Sequence, residues 1–341
     1  MTKKMQFTRD IRLGVMAAFA AGLLLPGCGK SESKGGGNKA TVTIIQNIGS
    51  DTMVNLAQAW AEAYGKIEPS VSVEVSGGGS GIGVAALING TCDVANCSRK
   101  LEPEEVEKCK ARHGHEPKEY LVGYDALSIY VHLSNPLNEI SIAELGEIYR
   151  EGGTIDKWSQ LGVTLPGGDE IIRVSRQNNS GTYHYFRETV VGKKSDFKLG
   201  SRDMNGSKDV VELVSRTPNA IGYSGLGYAT KSVKILKVSK KKGEPGVTPN
   251  IETTWDKSYP IARPMFMYCP GTPPPQVQKY LDWIASDAGQ AIVNAQDASQ
   301  FGAGWWLENS RAPSITTSLF DLSRMLISSP TLTTSSGRAM R

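Results

Sequence analysis

The chain has 341 residues, 39% hydrophobic, 21% charged and 7% aromatic, the composition of a soluble globular protein with room for about two domains. Its formal net charge is +4, of which Lys3, Lys4, Arg9 and Arg12 against Asp10 supply +3, so the rest is nearly neutral. There is no basic block with interleaved aromatics, which excludes the electrostatic footprint of a nucleic-acid binder.

The positive N-terminal segment precedes "LGVMAAFAAGLLL", an apolar run too short for a comfortable membrane span. "LPGC" follows and ends at Cys28. It resembles the bacterial lipobox, with Pro26 an unusual residue inside it. The expectation is a signal peptide over 1–28, lipidation of Cys28, and a flexible tether "GKSESKGGGNKA" over 29–40. The competing readings are a cleaved signal with an incidental cysteine, or an uncleaved anchor. Either way the mature chain is expected on the outer side of a cytoplasmic membrane, in the periplasm or at the cell surface. Export permits disulfides among Cys92, Cys97, Cys109 and Cys269, but spacing does not choose a connectivity.

"ATVTIIQNIGS" predicts a strand. "DTMVNLAQAWAEAY" then places Met53, Leu56, Trp60 and Tyr64 at helical spacing, with Ser50 or Asp51 as N-cap. "SVSVEVS" alternates as a strand does. The glycine loop "SGGGSGIG" leads into a helix, "CDVANC" is a short strand, and "EPEEVEKCKAR" is a helix. "RHGHEP" reads as a polar turn rather than a zinc ligand set, since neither C-x-x-C nor H-E-x-x-H is present. "GYDALSIYVHLS" follows, and "SIAELGEIYREG" is a helix with Ser141 and Glu144 at capping-box spacing. "IIRVSRQNNSGTYHYFRETVV" is strand, polar loop and helix again. "KDVVELVSRTPNAIGYSGLGY" is a helix and a strand. "YPIARPMFMYCPG" is a strand, and "PPQVQKYLDWIASDAGQAIV" is helical. The Ser- and Thr-rich end, residues 312–341, is expected to be a poorly ordered tail. Alternating strands and helices define an α/β protein.

Three loops share one character: "NIGSDT" (47–52), "SGGGSGIG" (76–83) and "RQNNSGT" (176–182). Each joins a strand to a helix and offers hydroxyls and amides at a helix start, the chemistry of an anion site. One such loop caps helices in any protein. Three in one chain, one with Arg176, predict convergence on a single anion, because a guanidinium matches an oxyanion in charge and shape. Other readings are weaker. "GIGVAA" fits G-x-G-x-x-A with Glu102 or Glu104 about 20 residues on, but an exported protein seldom meets a dinucleotide. "GKS" at 29–31 lacks the P-loop glycine, since Leu24 stands in its place. His184 follows Ser180 by four, yet "NNSGT" is not a nucleophile elbow; His184 is expected on a packing or outer face.

"GSDT", "GGGSGIGVAALINGTCDVANCSR", "GYDALSIYV", "RQNNSGTYHYF" and "NAIGYSGLGY", in that order, resemble the PstS family of phosphate-binding lipoproteins, the receptors of phosphate ABC importers. The resemblance runs from about residue 41 to about residue 295. It implies a two-lobed α/β fold of the periplasmic-binding-protein type (type II-like), with mixed central sheets and two hinge crossover strands near 122–128 and 260–266. Lobe 1 would comprise 41–123 and 264–311, and lobe 2 would comprise 124–263. It implies that Ser50 with the Asp51 amide holds one side of a phosphate and Ser80 with the Gly81 amide another. Arg176, Ser180, Gly181 and Thr182 would approach from the second lobe. The best-known members place a buried Asp after "GAS" to accept the phosphate proton. This chain reads "ANCSR" and places Ser98 there, as other members with Ser-Ser-Arg do. A hydroxyl donates or accepts, so Ser98 is expected to touch the ligand while rejecting sulfate less strictly.

Arg99 alternates away from Ser98 and is expected to be paired structurally, a secondary site candidate only. Asp93 reads as a structural loop acid. After the last helix, "DASQFGAGWW" departs from the "GYVPL"-like segment usual in the family. The expected function is capture of inorganic phosphate and delivery to the transmembrane permease subunits of an ABC importer. The expectation includes a lipid-anchored monomer, no cofactor, no metal and no covalent chemistry. The alternatives are a receptor for sulfate, molybdate or another tetrahedral oxyanion, a phosphate sensor, or a phosphate-ester hydrolase.

Overall fold

A computed structural model describes residues 42–301. The readings made on the signal segment, Cys28, the tether and the residues beyond 301 lie outside them. Among the described residues, ten strands form one curled mixed sheet in the order β2-β1-β3-β10-β4-β8-β6-β7, with β9 beside β4 and β5 beside β9. The strands are β1 (Thr43–Gly49), β2 (Val71–Ser76), β3 (Val94–Cys97), β4 (Lys118–His132), β5 (Glu139–Ser141), β6 (Ile172–Arg176), β7 (Arg202–Met204), β8 (Ala220–Gly225), β9 (Val233–Ser239) and β10 (Ala262–Cys269).

The helices cover both halves of this sheet. They are α1 (Val54–Ile67), α2 (Ser80–Asn89), α3 (Pro103–His113), α4 (Ile142–Tyr149), α5 (Gly181–Phe186), α6 (Ser207–Arg216), α7 (Ile251–Trp255), α8 (Pro275–Ala285) and α9 (Asp287–Phe301). The apolar face read for α1 is observed. Trp60 and Tyr64 are buried with Met53, and the Trp60 indole donates to the Gly289 carbonyl at 2.7 Å, tying α1 to α9. The capping read there is corrected. The N-cap is Met53 and no side chain caps the helix, because residues 51–53 form a turn in which the Met53 amide donates to the Ser50 carbonyl. The Ser141–Glu144 capping box of α4 is present. Ser286 splits the last predicted helix into α8 and α9.

β4 is the organising strand. From Lys118 to Ala126 it pairs antiparallel with β10, and from Leu127 to Val131 with β8. The Leu127 amide donates to the Ile261 carbonyl just before β10 begins. Two sets of core residues lie on either side of this change of partner. Ile45, Trp60, Val94, Met265 and Tyr280 pack in one half; Leu127, Tyr149, Trp158, Phe186 and Tyr223 pack in the other. All four described cysteines are buried and unpaired. Burial pushes the thiols of Cys92, Cys97 and Cys269 up to about 12, so they behave as small apolar groups.

Arg99 turns its fork onto Glu105, with Nη1 to Oε2 at 2.7 Å and Nη2 to Oε1 at 2.8 Å. Burial works to raise the Glu105 carboxyl, but the Arg99 hydrogen bonds and the Glu102 amide outweigh it and hold its pKa below the ordinary value. A depressed folded-state pKa contributes stability above the unfolded value that is lost as pH falls through the folded one. Urea unfolding should therefore show this contribution fading as pH drops below about 4.3. Glu105→Gln should cost about 1–2 kcal/mol at neutral pH and make the remaining acid dependence shallower. An unchanged midpoint at pH 7 would contradict the pairing.

Candidate anion site

The three Ser- and Gly-bearing loops meet where the two halves of the sheet join. Ser50 follows β1, Ser80 opens α2, and Ser98 follows β3. All three side chains are buried. The Ser50 hydroxyl donates to Ser98 Oγ at 3.0 Å; Ser80 Oγ lies 3.3 Å from Ser98 Oγ and accepts the Ser98 amide at 3.1 Å. From the other half, α5 brings Thr182, whose hydroxyl sits 2.8 Å from that of Thr52. Gly181 faces the serines so closely that a Cβ there would lie 2.6 Å from Ser98 Oγ, with Ser80 Oγ nearer still. Only glycine admits this approach.

Two arginines flank the hydroxyls. Arg176, at the end of β6, is 1% exposed. Its Nη2 donates to Asp51 Oδ2 at 2.8 Å and to the Asn205 carbonyl at 2.7 Å, its Nη1 to Ser207 Oγ at 2.9 Å, and its Nε to the Met204 carbonyl at 3.3 Å. Burial lowers its pKa while the Asp51 charge opposes the shift; an arginine stays protonated regardless. Arg263, on β10, is wholly buried, and its Nε and Nη2 both donate to Asp125 Oδ2, at 3.0 and 2.8 Å. Arg263 and Asp125 face each other across the β10–β4 ladder. Both carboxylates are also held by amides, Asp51 Oδ1 by Gly78 at 2.8 Å and Asp125 Oδ1 by Leu226 at 3.2 Å. Two cations and two anions thus cancel around a cluster of neutral hydroxyls. A cavity of about 420 Å³ lies beside the Asp51–Arg176 pair, lined in part by Asn55, Ser207, Lys208 and Tyr228.

Ser50, Asp51, Ser80, Ser98, Arg176, Gly181 and Thr182 are brought together. The Gly81 amide and the Ser180 hydroxyl, both expected to face a ligand, are otherwise engaged, as is the Ser50 amide. The Gly81 amide donates to the Asn179 carbonyl at 2.9 Å and the Ser50 amide to the Asn96 carbonyl at 2.8 Å, while Ser180 Oγ caps α5 by accepting from the Thr182 and Tyr183 amides. Arg99 and His184 stand in other contacts, His184 Nε2 lying 2.8 Å from the Asn178 carbonyl. Asp93 is the structural acid expected of it and accepts the Gln46 amide. The G-x-G of "GIGVAA" lies inside α2, not on a strand-to-helix turn. Gly83 is there because a Cβ would stand 2.7 Å from the Ile48 carbonyl. Thr52, Asp125 and Arg263 were not read from the sequence. The available signals were a charge inside the apolar run "YPIARPMFMYC" and another in "GYDALSIYV".

Residues 35–288 match the family model described as PBP superfamily domain, which makes the chain a member of that superfamily of two-lobed binding proteins. Within it, the chain belongs to the PstS family. It is 32% identical over 296 residues to the phosphate-binding protein PstS of Pseudomonas aeruginosa, an alignment covering 83% of this chain and 90% of that one. It is 34% identical to the protein SphX of Synechococcus elongatus, over 66% of this chain and 67% of the relative. Among solved structures it is similar to a protein from Clostridium perfringens assigned as a phosphate ABC transporter substrate-binding protein with bound phosphate. That match has a TM-score of 0.67 and 29% identity, and covers 75% of this chain and 98% of the other.

The contact of Gly181 with the serines has a direct consequence for stability. Gly181→Ala should lower unfolding free energy by about 1–3 kcal/mol through overpacking. Ser98→Ala, which removes one of the opposing oxygens, should recover part of that loss, a coupling that a double-mutant cycle in denaturant would read. Strict additivity of the two substitutions would show that the close approach does not exist.

Proposed function

We propose that the protein is an extracytoplasmic receptor that captures inorganic phosphate and delivers it to the permease subunits of an ABC importer. The observation that carries this reading is the buried cluster of Ser50, Ser80 and Ser98 hydroxyls, opposed by Thr182 and flanked by Arg176. The names of its relatives support it: a phosphate-binding protein from P. aeruginosa, and a phosphate-bound receptor from C. perfringens.

In this reading the ligand contacts are Ser50, Asp51, Ser80, Gly81, Ser98, Arg176, Ser180, Gly181 and Thr182. The mutual hydrogen bonds of the hydroxyls are exchanged for bonds to phosphate oxygens. Neutral O–H donors, the N-terminal end of α2 and the paired guanidinium replace the anion's water, and approach of the two halves excludes solvent. Lobe 1 comprises 41–123 and 264–311, lobe 2 comprises 124–263, and the chain crosses between them on β4 and at the start of β10. Cys28 carries the lipid anchor, 29–40 is the tether, and the receptor works as a monomer. The chemistry is carriage, so no turnover of a chromogenic phosphate ester is expected.

Ser98 sets the selectivity. The Asp51 and Asp125 carboxylates are tied to arginines and amides, and Ser98, among the serine hydroxyls, offers a hydroxyl rather than a carboxylate to a phosphate proton. Without a carboxylate to repel a fully deprotonated oxyanion, rejection of sulfate rests on hydroxyl orientation alone. Competition calorimetry of phosphate against sulfate from about pH 5 to 9, a range that spans the second ionisation of inorganic phosphate, should still favour phosphate. Equal affinity for sulfate would overturn the phosphate-specific reading in favour of a general tetrahedral-oxyanion receptor. Arg176→Ala should weaken phosphate binding by about 2–5 kcal/mol, the cost of truncating one partner of a buried charge pair, and unchanged binding would remove Arg176 from the site.

A further inference from the structure

Arg263 belongs to no loop of the anion site, yet it reaches Thr52, Ser98 and Thr182 of that site. Its guanidinium Nη2 donates to Thr182 Oγ1 at 3.1 Å and to Thr52 Oγ1 at 3.3 Å, and its Nη1 to the Ser98 carbonyl at 3.4 Å. Asp125 grips its Nε and Nη2 from the neighbouring strand. The Tyr185 ring lies 5.6 Å from its Cζ, and Tyr185 is itself anchored by donating to the Ala262 carbonyl at 2.7 Å. An arginine so enclosed has one geometry.

A guanidinium has donors and no acceptor, and with one Nη2 proton on Asp125 the two threonine oxygens share the other. That fixes which way their remaining O–H bonds point. One hydroxyl bridges to the other across 2.8 Å, and the second is left with its proton directed away from the arginine. Hydroxyls polarised in this way are better donors to an oxyanion than free ones, because hydrogen-bonded chains in a dry site strengthen one another. Thr52 comes from the loop after β1 and Thr182 from α5, so Arg263 holds both only when the two loops are together.

We propose that Arg263, fixed by Asp125, is a positioning residue of the anion site that orients the Thr52 and Thr182 hydroxyls toward the ligand and ties their approach to the crossover strands. The inference rests on the phosphate-binding reading and adds Thr52, Asp125 and Arg263 to it. A purely structural ion pair is the rival account, since buried pairs of this kind occur without functional roles.

The test is titration calorimetry of the full chain with inorganic phosphate, alongside thermal melts. Arg263→Met combined with Asp125→Asn removes both charges together and leaves no lone buried ion. Phosphate affinity should fall about a hundredfold in that variant. In a Thr52→Val, Thr182→Val background the same change should cost less than about fivefold, because the groups through which Arg263 acts are already gone. An affinity within about twofold of native, or an equal loss in both backgrounds, overturns the positioning role. Should the double-charge variant lack a cooperative melt, Arg263→Lys decides. It keeps the charge without the planar fork, and an affinity unchanged from native would overturn the proposal, whereas a loss of about tenfold at an unaltered melting point supports it. A native protein that takes up no phosphate sinks both the functional reading and this inference. A native protein that binds, beside a variant that binds equally, sinks the inference alone.

Discussion

Two buried guanidiniums must be matched before anything else in this structure is affordable. A lone cation of this size in a dry interior costs several kcal/mol, and pairing repays that only when the remaining donors are also satisfied. Arg176 meets the condition with Asp51 and three further oxygens from Met204, Asn205 and Ser207. Arg263 meets it with Asp125, Thr52, Thr182 and the Ser98 carbonyl. Each network draws on both sides of the join. Asp51 lies after β1 and Arg176 on β6; Asp125 and Arg263 sit opposite each other on the crossing strands. The charges that flank the hydroxyl cluster are therefore also what hold its walls in register.

Charge balance has a chemical corollary. With both arginines paired, the groups nearest the cluster are neutral hydroxyls rather than free positive charge. In the proposed reading such a site binds by replacing hydration with preorganised dipoles, and its selectivity follows from where protons stand. Ser98 is hydrogen-bonded to both Ser50 and Ser80, so its own proton orientation depends on theirs. Replacing an acceptor-only carboxylate with a hydroxyl that can serve either way trades strictness for adaptability.

Period and punctuation made much of the fold legible. The helical spacing of Trp60 and Tyr64, the alternation of "SVSVEVS" and the Ser141–Glu144 box are local signals, and the structure honours them. The convergence of three loops was legible too, because each carried the same unusual load of hydroxyls and glycine. β9 and α7 were not read. The strand "VKILKVS" mixes lysines with its apolar residues, since its side faces solvent in places, and α7 is a single short turn set by the Asn250 cap. Arg263 and Asp125 escaped because their meaning is a cross-strand register, Arg263 opposite Asp125 over 138 positions of chain, and no window of sequence contains both.

The glycines bring the loops together for a reason other than the one their composition suggests. Loops of this composition suggest amides freed for an anion, but here several of those amides are spent inside the protein: Gly81 on Asn179, Gly79 on Gly49, Ser50 on Asn96. What the glycines supply at Gly83 and Gly181 is proximity. Gly83 lets α2 settle against the end of β1, which aims Ser80 at Ser98; Gly181 lets α5 come within contact of both serines. Removing side chains at these two points brings hydroxyls from separate loops within hydrogen-bonding reach of one another, a geometry that longer residues would hold apart. In the proposed reading the anion chemistry of the loops is therefore carried mainly by serine and threonine oxygens, and the role of glycine is to let the backbones that bear them close.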